Sequence, residues 1–393
     1  MWSELCKSFL HLTRYALCQR RADVMLYYPR HFNRSADGHN PYFAPIVALC
    51  EEHGLKWIAI EEPDDATSCP RDERSIPGDA FFFLVTALRK VIRWFAPHAT
   101  CYDIDRRVAR IVDALTFHRL RARRYITISN SMLYVLSELN PNGRAYDLQH
   151  GVIYNGHGGY FTSADHLHKG IAQGRRGILL WGPLYREAFR RALTAEQFRR
   201  NVRVVGYPIP TASAQLSHSE RRHIVISLQI TADSEAWRTH SPLMLRHCLN
   251  QLRDCGYPVL LKHHPRFNNV ADLTDILPTF PFASFTSQSL VELASEALLH
   301  ITWSSTTTFE FANYGVPTFL LHDDLLPFGK TLFYDQFSYP LYRGMTLREV
   351  VDTLTDSEQY AHACRSVKDW YDSAYAPFDR SLMTKILLCD EED

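Results

Sequence analysis

A chain of 393 residues is longer than one hydrophobic core usually serves, so two domains are expected. With 46% hydrophobic and 22% charged residues it can bury a core throughout, and 43 Lys plus Arg against 43 Asp plus Glu leave no net field to hold nucleic acid. Nine cysteines, scattered from Cys6 to Cys389 without a C-x-x-C pair, suit a reducing, cytoplasmic setting and exclude a disulfide scaffold, and the first twenty residues lack the build of a signal peptide.

After a first helix, residues 24–28 (VMLYY) read as a buried strand and 29–41 as a polar loop. Pro45 in a first turn, apolar spacing through Phe43, Ile46, Val47 and Cys50, and a stop at Gly54 predict a short helix. Residues 56–61 (KWIAIE) are the next strand, and strand, helix, strand argues a parallel βαβ unit. The charged stretch 64–79 reads as an insertion or linker. The helix 79–97 is strongly apolar, yet Arg89, Lys90 and Arg93 interrupt it and it falls short of the roughly 20 apolar residues a bilayer span needs.

Strands at 125–129, 145–149 and 177–181 each lead into polar or glycine-rich residues. Residues 202–205 (VRVV) run into Gly206, Tyr207, Pro208 and Pro210, and the hinge is placed there. The second half repeats the pattern with a strand at 223–228, a helix at 242–255, strands at 259–262 and 298–301, a helix, and a strand at 318–321. A last helix, 357–375, is expected to pack back across the first half. The domains predicted are 1–206, an acceptor-side Rossmann-like domain, 207–355, a nucleotide-donor Rossmann-like domain, and 356–393, a closing helical segment.

Three loops of the second half follow strands, so an open α/β sheet would bring them to one edge, where ligands sit. Gln229-Ile230-Thr231 offers amides and side chains to a phosphate, or is an ordinary loop. Lys262-His263-His264-Pro265 pairs a cation with an imidazole on a stiff turn, which suits an anionic leaving group; a histidine satisfied at the strand end reads equally well. Ser304-Ser305-Thr306-Thr307 opens a helix that closes at Gly315, and hydroxyls with unpaired amides at a helix start favour phosphate. Thr307 and Glu310 also spell a capping box, and Glu310 could instead accept from ribose hydroxyls.

In the first half Gln149-His150-Gly151 leads into Asn155-Gly156-His157-Gly158-Gly159. His150 is a candidate general base if its pKa stays near neutral, or else a core histidine bonded to backbone. Asp103-Ile104-Asp105 resembles a D-x-D metal site but opens a basic helix, where acidic residues are favoured anyway. Arg119, Arg121, Arg123 and Arg124 form either a site for anionic lipid or acceptor, or a solvated face.

In order and placement, His264-Pro265, Ser304-Ser305, Glu310-Phe311, the hinge phrase Val205-Gly206-Tyr207-Pro208 and His150-Gly151 resemble a known set. It is that of the GT-B glycosyltransferases of bacterial surface and capsular polysaccharide synthesis, bacterial polysialyltransferases and the related CDP-glycerol glycerophosphotransferases. The likeness spans about residues 149–321; the acidic pair that polysialyltransferases carry directly before a glycine is here Glu51-Glu52, separated from Gly54 by His53.

The resemblance implies an α/β, GT-B fold of two Rossmann-like αβα domains facing each other across a cleft. It implies a nucleotide-sugar donor held by Gln229, Lys262, His264, Pro265, Ser304, Ser305, Thr306 and Glu310, and an oligosaccharide or lipid-linked acceptor near Arg30, Arg34, Asn40 and Gly151. His150 and His264 would be catalytic, with no cofactor and no essential metal, and the chain would work in the cytoplasm with peripheral contact at the inner membrane face. Alternatives of the same architecture are a CDP-polyol phosphotransferase and a nucleotide-sugar 2-epimerase, besides a non-catalytic polysaccharide-assembly partner.

Overall fold

The computed structural model describes residues 5–11, 13, 21–33, 37–64, 67, 69–163, 166–168, 171, 176–209, 221–229, 235–264, 273, 275–322 and 331–388. The chain divides into two compact units, Met1–Pro210 with Ala376–Asp393, and Thr211–Tyr375.

The first unit is built on seven strands: β1 Val24–Pro29, β2 Trp57–Glu62, β3 Ile76–Pro77, β4 Arg124–Ile128, β5 Arg144–Leu148, then, after a hairpin of β6 Phe161–Ser163 and β7 His166–Leu167, β8 Arg176–Leu180 and β9 Val202–Val204. Their order is β3-β2-β1-β4-β5-β8-β9, every pairing parallel. All of β1 is buried, and successive side chains take opposite faces. Met25 and Tyr27 join a core with Phe81, Val85, Ile104 and Val108 from the helices Asp79–Phe95 and Cys101–Leu115, while Tyr28 meets Phe43 ring edge to face at 5.6 Å on the other side. A sheet covered on both faces is why its strands read as continuous apolar runs.

The stretch expected to be a linker is part of this unit. Glu61, fully buried at the end of β2, accepts from Asn33 Nδ2 at 2.9 Å and from the Asp72 amide at 3.1 Å, and β3 adds an edge strand. Arg71 pairs with Asp79 at 2.9 Å, so the charges of 64–79 are largely internal partners.

The second unit holds β10 His223–Ser227, β11 Val259–Lys262, β12 Ala283–Phe285, β13 Ala297–Thr302 and β14 Thr318–Leu320, in the parallel order β12-β11-β10-β13-β14. Ile224 and Ile226 pack with Leu245, Cys248 and Leu249, whereas Val225 packs with Leu293 and Phe311, again a sheet with two covered faces. The helix expected from Pro242 begins earlier, at Glu235, and passes through Pro242 to Gln251. Burial of Leu245, Cys248, Leu249 and Leu252 outweighs the roughly 3 kcal/mol that an interior proline costs.

The segment 356–393 is divided at Tyr375–Ala376. The helix Ser357–Ala374 belongs to the second unit, with Trp370 and Tyr375 stacked on Phe309 at 4.5 and 4.7 Å. The closing helix Arg380–Leu388 belongs to the first, through Arg380 to Glu52 at 2.6 Å and Arg124 Nε to the Ile386 carbonyl at 2.6 Å. Among the described residues no helix is long and apolar enough to cross a membrane.

Candidate functional site

In the second sheet, chain order reverses between β10 and β13, and such a reversal opens a crevice beyond the carboxyl ends of the two strands. The residues leaving β10 and β13 are therefore Gln229 and Ser304–Thr306. Gln229 ties them together: its Oε1 accepts the Ser304 amide at 2.5 Å and the Thr302 hydroxyl at 3.3 Å, and its Nε2 reaches Ser304 Oγ at 3.5 Å.

Past that clamp the backbone is partly unsatisfied. The Thr307 amide donates to Ser305 Oγ at 3.2 Å and the Thr308 amide to the Ser305 carbonyl at 3.2 Å, whereas among the described residues the Ser305 and Thr306 amides donate to no acceptor. The helix that follows, Thr307–Asn313, has Thr306 in its capping position with no side-chain cap bond. The expected Thr307–Glu310 capping box does not form, because Thr307 Oγ1 turns toward the His300 ring at 3.4 Å.

His300 supports this loop from beneath. Fully buried on β13, it contacts Ser227 Oγ and Thr318 Oγ1, each at 3.0 Å, and lies flat on Phe311 at 3.9 Å. Burial drives its pKa down to about 3, so it is a neutral, fixed ring. Composition and spacing had no means of marking it, since its partners come from two other strands and a helix.

Lys262, at the end of β11, donates to the Gln288 carbonyl at 2.5 Å and the Ser287 carbonyl at 3.3 Å, fixing the turn before the helix Leu290–Glu296. His263 stacks on Phe285 at 4.6 Å; burial, then Lys262, lowers its pKa. His264 follows, half-buried, and Glu310 lies in the first turn of its helix, where it raises the Tyr314 phenol after burial and the Tyr371 phenol after burial and Asp372. Pro265 lies outside the described residues, as does Arg34.

In the first unit Gln149 makes the matching clamp. Fully buried, it accepts the Trp181 amide at 2.8 Å through Oε1 and donates from Nε2 to the Gly151 carbonyl at 2.8 Å, which bends the chain around His150. The His150 ring meets Phe32 edge to face at 5.9 Å, and its buried Nδ1 has no hydrogen-bond partner among the described residues. Burial, then the nearby His157 and His31, pushes its pKa down to about 4, below the near-neutral value expected. Gly151 does not have a positive φ, and a Cβ there would meet nothing within 4 Å.

Arg30 and Asn40 are engaged in loop building. Arg30 Nη2 donates to the Asp64 carbonyl at 2.5 Å and the Thr67 carbonyl at 3.3 Å; Asn40 Oδ1 accepts the Tyr42 amide at 3.0 Å. The D-x-D pair is engaged likewise: Asp105 holds Arg89 at 2.7 Å, and the Asp103 carboxylate accepts the Thr100 hydroxyl at 2.7 Å while its amide donates to Thr100 Oγ1 at 3.2 Å in a helix cap. Of the arginine cluster, Arg124 is fully buried and Arg121 is paired with Asp113 at 2.6 Å, so the four do not form one cationic surface.

No protein-family model matches the chain, and no curated protein matches its sequence. Its architecture does match solved structures. The wall teichoic acid polymerase TagF is similar at a TM-score of 0.55 and 13% identity, covering 98% of this chain and 97% of that one. Staphylococcus aureus MnaA with UDP is similar at 0.56 and 12%, covering 95% and 99%. UDP-glucose:anthocyanidin 3-O-glucosyltransferase with UDP is similar at 0.52 and 10%, covering 94% and 99%. The likeness is one of fold: two parallel α/β units of the GT-B architecture.

Proposed function

We propose that this chain is a glycosyltransferase that moves a sugar from a nucleotide-activated donor to a growing bacterial surface polysaccharide or glycolipid. The observation that carries the reading is the pair of uncommitted amides at Ser305 and Thr306, held at the switch point of the second sheet by Gln229. Two N–H groups beside hydroxyls at such an edge suit the phosphates of a nucleotide. His264 and Glu310 are assigned to the same donor, Glu310 as an acceptor for ribose hydroxyls.

His150 is assigned the base. At neutral pH its imidazole is uncharged and free to accept, and because a pKa of about 4 makes it a weaker base than the near-neutral one expected, it takes the proton of an acceptor hydroxyl only as that oxygen bonds the anomeric carbon. The bond from that carbon to phosphate oxygen breaks, and the nucleotide leaves with the electron pair. The charge on phosphate is met by amides and side-chain donors, a task that needs no metal, so turnover is expected to persist in chelator. A lipid-linked acceptor would bring with it peripheral contact at the cytoplasmic membrane face.

UDP and CDPG appear in co-structures of the fold neighbours, so UDP, CDP, CMP and GDP are the first probes. One of them should raise the melting temperature of the chain in a saturable way. Thr306→Pro removes one amide at a φ of −56° that proline shares, and should weaken that binding by about tenfold or more while the unliganded melting temperature holds. Equal affinity in the variant, or no shift with any nucleotide, would overturn the reading; product from labelled donor with no acceptor present would mark an epimerase instead.

A further inference from the structure

The helix Asp79–Phe95 is apolar on both sides. At 3.6 residues per turn Phe81, Val85 and Ile92 fall on one face, which packs into the core, Phe83 and Trp94 on the opposite one, and Val91 on the flank between them. Phe83 is 63% exposed, Val91 50% and Trp94 81%, and Phe95, the last residue of the helix, 77%. The Trp94 and Phe95 ring centroids lie 5.3 Å apart, and Phe95 shares a depression of about 440 Å³ with Asp103, Arg106 and Arg107 of the helix Cys101–Leu115.

This face is cationic although the chain is neutral. Asp79, Asp105 and Asp113 of the two helices are committed to Arg71, Arg89 and Arg121, and the remaining acid, Asp103, accepts the Thr100 hydroxyl at 2.7 Å; against that one carboxylate Lys90, Arg106, Arg107 and Arg110 are exposed and make no ion pair among the described residues.

We propose that this face docks on an anionic lipid bilayer, Trp94 and Phe95 entering the interface and the arginines meeting head-group phosphates. Exposed aromatic rings beside cations on the outer side of a surface helix are what a charged lipid interface accommodates. A second copy of the chain is disfavoured as occupant, since a two-fold contact on this face would bring like charges together. The proposal deepens the membrane contact of the proposed function, rests on that reading, and moves the contact away from Arg119–Arg124.

The full chain should float with vesicles of phosphatidylcholine and phosphatidylglycerol and stay behind with phosphatidylcholine alone. Trp94→Ser with Phe95→Ser, and separately Arg106→Glu with Arg107→Glu, should each weaken that binding by about tenfold or more. All these side chains are solvent-exposed, so melting temperatures and the nucleotide-induced shift should be unchanged, which separates failure here from failure of the donor assignment. Recovery independent of anionic lipid, binding that survives both double variants, or a concentration-dependent dimer abolished by the Trp94 and Phe95 change would each overturn the proposal.

Discussion

The carboxamide of Gln229 accepts the backbone amide of Ser304 at 2.5 Å, joining the exits of two strands 75 residues apart in sequence. A glutamine is suited to this because one group both accepts and donates, and here it accepts from Ser304 and Thr302 while donating to Ser304 Oγ. Gln229→Leu keeps much of the volume and removes both functions. It is expected to cost about 1–3 kcal/mol in urea unfolding, for the amide left unpaired, and to weaken nucleotide binding by about tenfold. Glu at 229 preserves the acceptor, so Gln229→Glu should recover most of the stability but not the affinity for an anionic ligand. Equal nucleotide affinity in all three proteins would mean that the clamp does not shape the site.

Much of this arrangement was legible in the sequence because buried parallel strands are short apolar runs between polar loops, as at Val24–Pro29 and His223–Ser227. Edge strands of two or three residues, Ile76–Pro77 and Ala283–Phe285, carry too few residues for any periodicity. Arginine was the more instructive failure. Arg124 and Arg176 both open buried strands, and each is buried because a distant partner meets it: the Ile386 carbonyl for Arg124, Ser137 and Glu138 for Arg176. Those partners are fixed by topology, not by neighbours in sequence, so a local charge run could not distinguish them from a solvated face.

His300 supplies a pH signature. Its imidazole is held near 3 by burial, below the value of about 6.5 in an unfolded chain, so the folded state binds fewer protons and stability must fall as pH drops through the window from about 6.5 to 3. Between pH 7 and pH 5 this one group should account for about 2 kcal/mol of lost stability. His300→Leu should be less stable than the wild type at pH 7, because Ser227 and Thr318 lose a partner, yet lose less on acidification. Urea unfolding at the two pH values measures both quantities. Parallel loss in the two proteins would show that His300 takes up protons equally in the folded and unfolded chains, so that burial does not hold it neutral.

For His150 the same physics bears on rate. Burial and the neighbouring His157 and His31 place its pKa near 4, so a free-enzyme profile of kcat/KM should hold level as pH falls through 6.5 and bend only toward 4. His150→Ala should lower kcat by about 10²–10⁴-fold while leaving nucleotide affinity close to wild type, as expected of a group that moves a proton rather than binds the donor. An acid limb centred near 6.5 that survives in His150→Ala would assign the base to another residue.

Gly206 tests why the hinge phrase is spelled as it is. The chain leaves the first unit beside the place where it returns: the Tyr207 amide bonds to the Ala376 carbonyl at 2.8 Å and the Asp379 amide to the Val205 carbonyl at 2.8 Å. Gly206 sits in this knot at a φ of +82°, and a Cβ there would lie 2.0 Å from the Pro377 carbonyl oxygen, a backbone atom that cannot swing aside. Gly54, in the same unit, has a φ of +65° with nothing within 4 Å of its Cβ, so an alanine there meets only the left-handed strain of about 1–2 kcal/mol. Gly206→Ala should therefore cost about 3 kcal/mol or more beyond Gly54→Ala, the added loss coming from parting the 205–207 and 376–379 segments. Thermal and urea unfolding of the two variants side by side isolates the contact from the strain. Equal losses would show that the returning segment yields without cost, and that conformation alone requires the glycine.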